Sequence, residues 1–163
     1  GAIGSRVAEL CHLFGCEIAA YDLFPKKNAP EYLHYGTLEE VLSKSDIVTL
    51  HCPLTEDSRN LINQDRIAQM KKGAILINAA RGPIVDSKAL ADALNSGYLR
   101  GAGVDVFEME PPLPMDHPLL HSINTIVTPH IAFASDESME IRAKIVFENI
   151  QKWMNKEQVN TIL

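Results

Sequence analysis

Five short apolar runs, each flanked by a segment with helical spacing or a helix cap, restrict this chain more than any other feature. The runs are Glu17–Tyr21 (EIAAY), Ile47–His51 (IVTLH), Ala74–Ala79 (AILINA), Gly101–Val106 (GAGVDV) and Thr125–Thr128 (TIVT). They are nearly unbroken rather than alternating, which predicts strands buried on both faces. Between them, Ile3, Val7, Leu10 or Cys11, and Phe14 fall at helical spacing. Thr37 with Glu40 forms a capping box opening a helix to Lys44, Asn63 caps Gln64–Met70 ahead of Gly73, and Asp86 caps Ser87–Ser96 ahead of Gly97. Strands alternating with helices over short connections pair in parallel through right-handed crossovers. The expected fold is α/β, a doubly wound parallel sheet.

Two stretches depart from this rhythm. Phe107–Asn124 holds Pro111, Pro112, Pro114 and Pro118 with no usable period, and reads as an ordered loop. Ser135 then opens a long helix to about Lys156, with Asp136 and Glu137 in its first turn. Its apolar stripe is Met139, Ala143, Val146, Ile150 and Trp153, which packs on its own domain in the plain reading and on a partner domain or subunit in the other. The expected division is a nucleotide-binding domain over 1–134 and a long helix with a return segment over 135–163.

Composition narrows the function. Hydrophobic residues at 46% and charged residues at 22% of 163 fit one globular domain. A net charge of −6 without a basic stripe argues against nucleic acid or an anionic membrane as partner. Cys11, Cys16 and Cys52 are too few for a disulfide framework. Two of them, in apolar stretches, read as small core residues, and a reducing cytoplasm fits best.

The chain opens Gly1-Ala2-Ile3-Gly4 and runs straight into the first helix; seventeen residues then separate Gly4 from Asp22, at the end of an apolar run. Glycines let a backbone approach a pyrophosphate, unpaired helix N–H groups face it, and a strand-ending carboxylate binds the adenosine ribose hydroxyls. The negative charge of Asp22 would repel a 2′-phosphate, which favours NAD over NADP. The fingerprint's first glycine and the strand before it are missing, so the chain reads as a fragment or part of a longer one.

Ligands of open α/β sheets bind beyond the carboxyl ends of the strands. Asp22, the Cys52-Pro53 step, Arg81, Asp105 and His130 all stand at or just past such ends. Hydride transfer to a keto acid needs a cation for the carboxylate and carbonyl, an acid–base group, and a carboxylate to orient that group. Arg81, His130 and either Glu108 or Glu110 supply all three.

Gly1–Gly4, Ser45–Thr55 (SDIVTLHCPLT), Met70–Asp86 (MKKGAILINAARGPIVD), Gly101–Pro112 (GAGVDVFEMEPP) and Thr128–Ala132 (TPHIA) resemble the D-isomer-specific 2-hydroxyacid dehydrogenases, most of all proteins labelled phosphoglycerate or glycerate dehydrogenase. The resemblance implies an NAD-binding Rossmann domain. It assigns the substrate carboxylate to Arg81, the acid–base pair to Glu110 and His130, and thereby selects Glu110 over Glu108. It places Gly1, Ala2, Ile3 and Gly4 at the pyrophosphate, Asp22 at the ribose, Cys52, Pro53, Ala79 and Ala80 along the cofactor, and Asp105 at the nicotinamide amide. It further implies a homodimer, a small 2-hydroxy or 2-keto acid substrate, and a second domain built partly from an N-terminal segment missing here. Two other readings stand beside it: a non-enzymatic NAD-sensing module like the corepressors that resemble this family, and a cofactor-binding or dimerising piece with no activity of its own.

Other polar residues read as structural. Asp116, His117 and His121 read as a solvated loop rather than a metal site, since Pro118 opposes a helix that would align the histidines. His51 and Cys52, strand neighbours, point to opposite faces and make no nucleophilic pair. His12 and His34 have no nameable partner.

Overall fold

The computed structural model describes residues 1–109 and 112–161. It divides into two compact units, 1–129 and 130–163. The first unit holds α1 (Ala2–Leu13), β1 (Ile18–Ala20), β2 (Leu33–Tyr35), α2 (Leu38–Lys44), β3 (Ile47–Leu50), α3 (Gln64–Gln69), β4 (Ile75–Asn78), a 3₁₀ turn (Gly82–Ile84), α4 (Ser87–Asn95), β5 (Gly101–Val104), α5 (Pro118–His121) and β6 (Thr125–Val127). Every pairing is parallel. One sheet runs β3-β4-β5-β6 and a smaller one pairs β1 with β2. All five anticipated strands are present; β2 was not anticipated, because Leu33–Tyr35 is three residues long with a histidine at its centre.

The helix boundaries follow their caps. Thr37 accepts from the Glu40 amide while the Glu40 carboxylate accepts from the Thr37 amide, closing the capping box of α2. Asn63 accepts from the Arg66 amide and Asp86 from the Ala89 amide, starting α3 and α4 where expected.

Within this unit, and among the described residues, the core covers one face of the larger sheet. Val48, Leu50, Leu76, Ala102 and Val104 are buried with Leu42 of α2, Ile67 of α3, Leu90 and Leu94 of α4, and Leu119 of α5. The alternate side chains Ile47, Ile77 and Ile126 remain 54%, 38% and 73% exposed. Unbroken apolar runs predict two buried faces, and the elements of this unit bury one of them. Of the three cysteines none is buried, contrary to the small-core reading: Cys11 and Cys52 are half-buried and Cys16 is exposed.

Phe107–Asn124 is not loop throughout. Pro118 sits at the first position of α5, where its missing N–H costs nothing, and His117 caps that helix. His117 is buried rather than solvated.

The second unit is dominated by α6 (Asp136–Met154), opened by Ser135, whose hydroxyl accepts from the Ser138 amide. No residue of α6 is buried, and Met139, Val146, Ile150 and Trp153 of its apolar stripe are exposed.

Candidate active site

Beyond the carboxyl end of β4 the chain turns on Asn78. This side chain is 1% exposed; its Nδ2 donates to the Arg81 carbonyl at 3.0 Å, and its Oδ1 accepts from the Ala80 amide at 3.1 Å. Its backbone carbonyl accepts from the Asp105 amide at 2.9 Å, locking β5's exit to β4's. Ala79, Ala80 and Arg81 are thus held by a polar side chain with no water access. The sequence reading passed over Asn78; one amide in an otherwise apolar ILINAA run was the available signal. The Arg81 guanidinium is exposed, donates to the Ala80 carbonyl at 2.6 Å, and has no carboxylate partner among the described residues.

Asp105 is 5% exposed, and its carboxylate accepts from the Thr128 hydroxyl at 2.5 Å. Asn78, Ala79, Asp105 and Thr128 line a crevice of about 180 Å³ with Ile77 and Ile126 of the uncovered sheet face. It lies at the ends of three successive parallel strands.

The loop after β3 is fixed similarly. Ser58 donates to the Pro53 carbonyl at 2.8 Å and accepts from the Thr55 amide at 2.7 Å. The Asn60 amide donates to the Pro83 carbonyl and the Ile62 amide to the Ile84 carbonyl, tying this loop to the turn after Arg81. Burial pushes the Cys52 thiol up against the opposing pull of a backbone hydrogen bond, and the Asp22 carboxylate adds to the rise, which disfavours the thiolate. The same influence puts Asp22 within electrostatic reach of the Cys52 step. Asp22 itself is exposed and accepts from the Phe24 amide at 2.8 Å.

Gly4 lies against His51. A Cβ there would sit 3.2 Å from His51 Cβ, so the start of α1 rests on the carboxyl end of β3. Gly1, Ala2 and Ile3 are exposed at that helix start, and Ile3 is 73% exposed. Burial lowers the His51 pKa from its ordinary 6.5, so the fold prefers the neutral imidazole. The unfolded chain therefore takes up this proton first as pH falls, so the contribution of His51 to stability is present above about 6.5 and diminishes as pH falls below it. The unfolding midpoint is expected to drop between pH 7 and 5, and His51→Gln to flatten that slope; an unchanged slope in the variant would discard this assignment.

Glu108 and His117 meet where the sequence reading left them apart. His117 Nε2 lies 3.0 Å from Glu108 Oε1, and Ser87 donates to Glu108 Oε2 at 2.8 Å. Burial pushes the Glu108 carboxyl up, but bonds from its own amide, Ser87 and His117 outweigh that and hold it below its ordinary value. Glu110 lies outside the described residues. In the second unit His130 adopts φ +57°, and its ring meets Phe133 edge-on at 6.0 Å, with the Arg142 guanidinium 5.3 Å from the Phe133 centroid. Among the described residues no cluster of three or more metal-binding side chains occurs, and no helix is long and apolar enough to cross a membrane.

Residues 1–132 match the family described as D-isomer specific 2-hydroxyacid dehydrogenase, NAD binding domain. The chain belongs to this family. Its fold is the family's parallel NAD-binding α/β sheet, and its cofactor is NAD. It is 43% identical to a glyoxylate reductase of Korarchaeum cryptofilum over 92% of this chain and 46% of that protein. It is 39% identical to a glycerate dehydrogenase of Methylorubrum extorquens over 99% of this chain and 50% of that one. The structure of a D-lactate dehydrogenase with NAD⁺ from Lactobacillus jensenii superposes with a TM-score of 0.90 at 33% identity, covering 100% of this chain and 53% of that one. The chain spans about half the length of the curated relatives it matches.

Proposed function

We propose that this chain is the cofactor-binding part of an NAD-dependent oxidoreductase that interconverts a 2-keto acid and a D-2-hydroxy acid. The observation that carries the reading is Arg81, an exposed guanidinium without a carboxylate partner among the described residues, beside a strand-end crevice on a turn that buried Asn78 locks. A guanidinium there binds a substrate carboxylate bidentately and polarises the adjacent carbonyl. Gly1, Ala2, Ile3 and Gly4 offer helix-start amides to the pyrophosphate, and Asp22 accepts from the ribose hydroxyls. Cys52, Pro53, Ala79 and Ala80 line the dinucleotide with backbone, and Asp105 takes the nicotinamide amide. When bound, NAD supplies or accepts the hydride.

His130 gives its proton to the carbonyl oxygen in the reducing direction, and Glu110 orients the imidazole and stabilises its charged form. The backbone of His130 supports this role: φ +57° is uncommon for a residue other than glycine, and such strain concentrates at functional sites. The enzyme acts as a homodimer.

The test uses the full-length protein with NADH and a panel of glyoxylate, hydroxypyruvate and pyruvate. Saturable oxidation of NADH with at least one is expected. NADH binding without turnover of any of them would replace this reading with a sensing module.

A further inference from the structure

The side chain of Glu108 joins three segments of the first unit. One is the exit from β5. The second is the first residue of α4, through the Ser87 hydroxyl, and the third is the start of α5, through His117. His117 Nδ1 accepts from the Leu119 amide at 3.3 Å, so its proton sits on Nε2 and is donated to Glu108. The His117 side chain is 3% exposed and its ring stands edge-on to Phe107 at 5.2 Å. The backbone of this same stretch lies flat against the turn after β4. A Cβ on Gly82 would fall 1.8 Å from the carbonyl carbon and oxygen of Phe107 and 2.5 Å from the Glu108 amide nitrogen. Gly82 directly follows Arg81, and Glu110 stands two residues beyond Glu108.

We infer that Ser87, Glu108 and His117 form a positioning brace that fixes the Arg81 turn against the segment leading to Glu110, and so sets substrate geometry without touching substrate. This rests on the roles proposed above for Arg81 and Glu110. A solvated carboxylate would contribute little here. A half-buried one with its bonds satisfied by two other segments immobilises the peptide that Gly82 packs on. The brace is separate from the dinucleotide-binding residues, so its loss acts on the keto acid and spares NADH.

Two variants of the full-length enzyme test it. Glu108→Ala removes the junction. His117→Asn keeps a good cap for α5 but is too short to bond Glu108. In both, the keto-acid KM is expected to rise about tenfold, the scale of a lost hydrogen bond to a charged group. The NADH KM should stay within about twofold, and the double variant should cost little more than Glu108→Ala alone, since that substitution already removes the contact with His117. Amide hydrogen exchange over residues 81–84 should quicken in each variant, and this readout needs no turnover. A wild-type protein that oxidises no NADH would defeat the proposed function while exchange still decides the brace. Unchanged exchange at 81–84, or a loss shared equally by keto acid and NADH, would overturn the brace.

Discussion

Replacing His130 by alanine in the full-length enzyme is expected to lower kcat by about 10²–10⁴-fold, the usual contribution of a general acid–base group, while the Kd for NAD changes by less than about twofold. The proton given to the carbonyl oxygen has no other donor among the proposed catalytic groups, because Arg81 keeps its proton at any working pH. The backbone supplies the control. At φ +57° alanine is less comfortable than histidine, so His130→Ala mixes a chemical loss with a conformational one. Asparagine tolerates the left-handed region and cannot act as an acid. His130→Asn should therefore fold like the parent and be as inactive as His130→Ala. Recovery of turnover in the asparagine variant, or equal losses in turnover and NAD affinity, would show that His130 serves the backbone and not the reaction.

The fold was legible because its signals are local. Val48, Leu50, Leu76 and Val104 lie in apolar runs, and Thr37, Asn63, Asp86 and Ser135 announce their helices through hydroxyl, amide or carboxylate side chains that bond amides three residues on. What escaped depends on where neighbouring segments come to rest. Ile47, Ile77 and Ile126 are as apolar as their buried neighbours, so nothing in the runs distinguishes a face covered within this unit from one left open. Pro118 was read as a helix breaker, although at the first helical position it is a starter. The burial of His117 depends on Glu108, across the proline-rich stretch, and on Ser87, which holds Glu108 from 21 residues further back, so no local pattern marks it. Of the candidate site, the positions of Asp22, Cys52, Arg81 and Asp105 just past strand ends followed from topology. The device that holds Arg81 in place, a buried Asn78 bonded to Ala80 and to the Arg81 carbonyl, did not.

Gly82→Ala is expected to destabilise the protein by about 3 kcal/mol or more, at the upper end for forcing a methyl into a packed interior, and to abolish most activity with it. The glycine is not needed for its backbone angles, since Gly82 is absent from the positive-φ residues. It is needed for space. The added carbon would lie 1.8 Å from the Phe107 carbonyl carbon and oxygen, a backbone group that cannot swing aside as a side-chain tip can. Either Phe107–Glu108 lifts away, breaking the Glu108 bonds to Ser87 and His117, or the turn withdraws and carries Arg81 with it. Both routes disturb the proposed site, through Arg81 or through the stretch leading to Glu110, so stability and keto-acid turnover should fall together. For a domain of this size the unfolding midpoint should drop by roughly 6–12 °C. Gly97→Ala is the contrast: φ is +72° there and nothing lies within 4 Å of the new carbon. That variant should lose only about 1 kcal/mol from the unfavourable backbone angle, with turnover intact. If Gly82→Ala melts no lower than Gly97→Ala and keeps its keto-acid KM, the close packing of the Arg81 turn on Phe107 is not what positions the guanidinium.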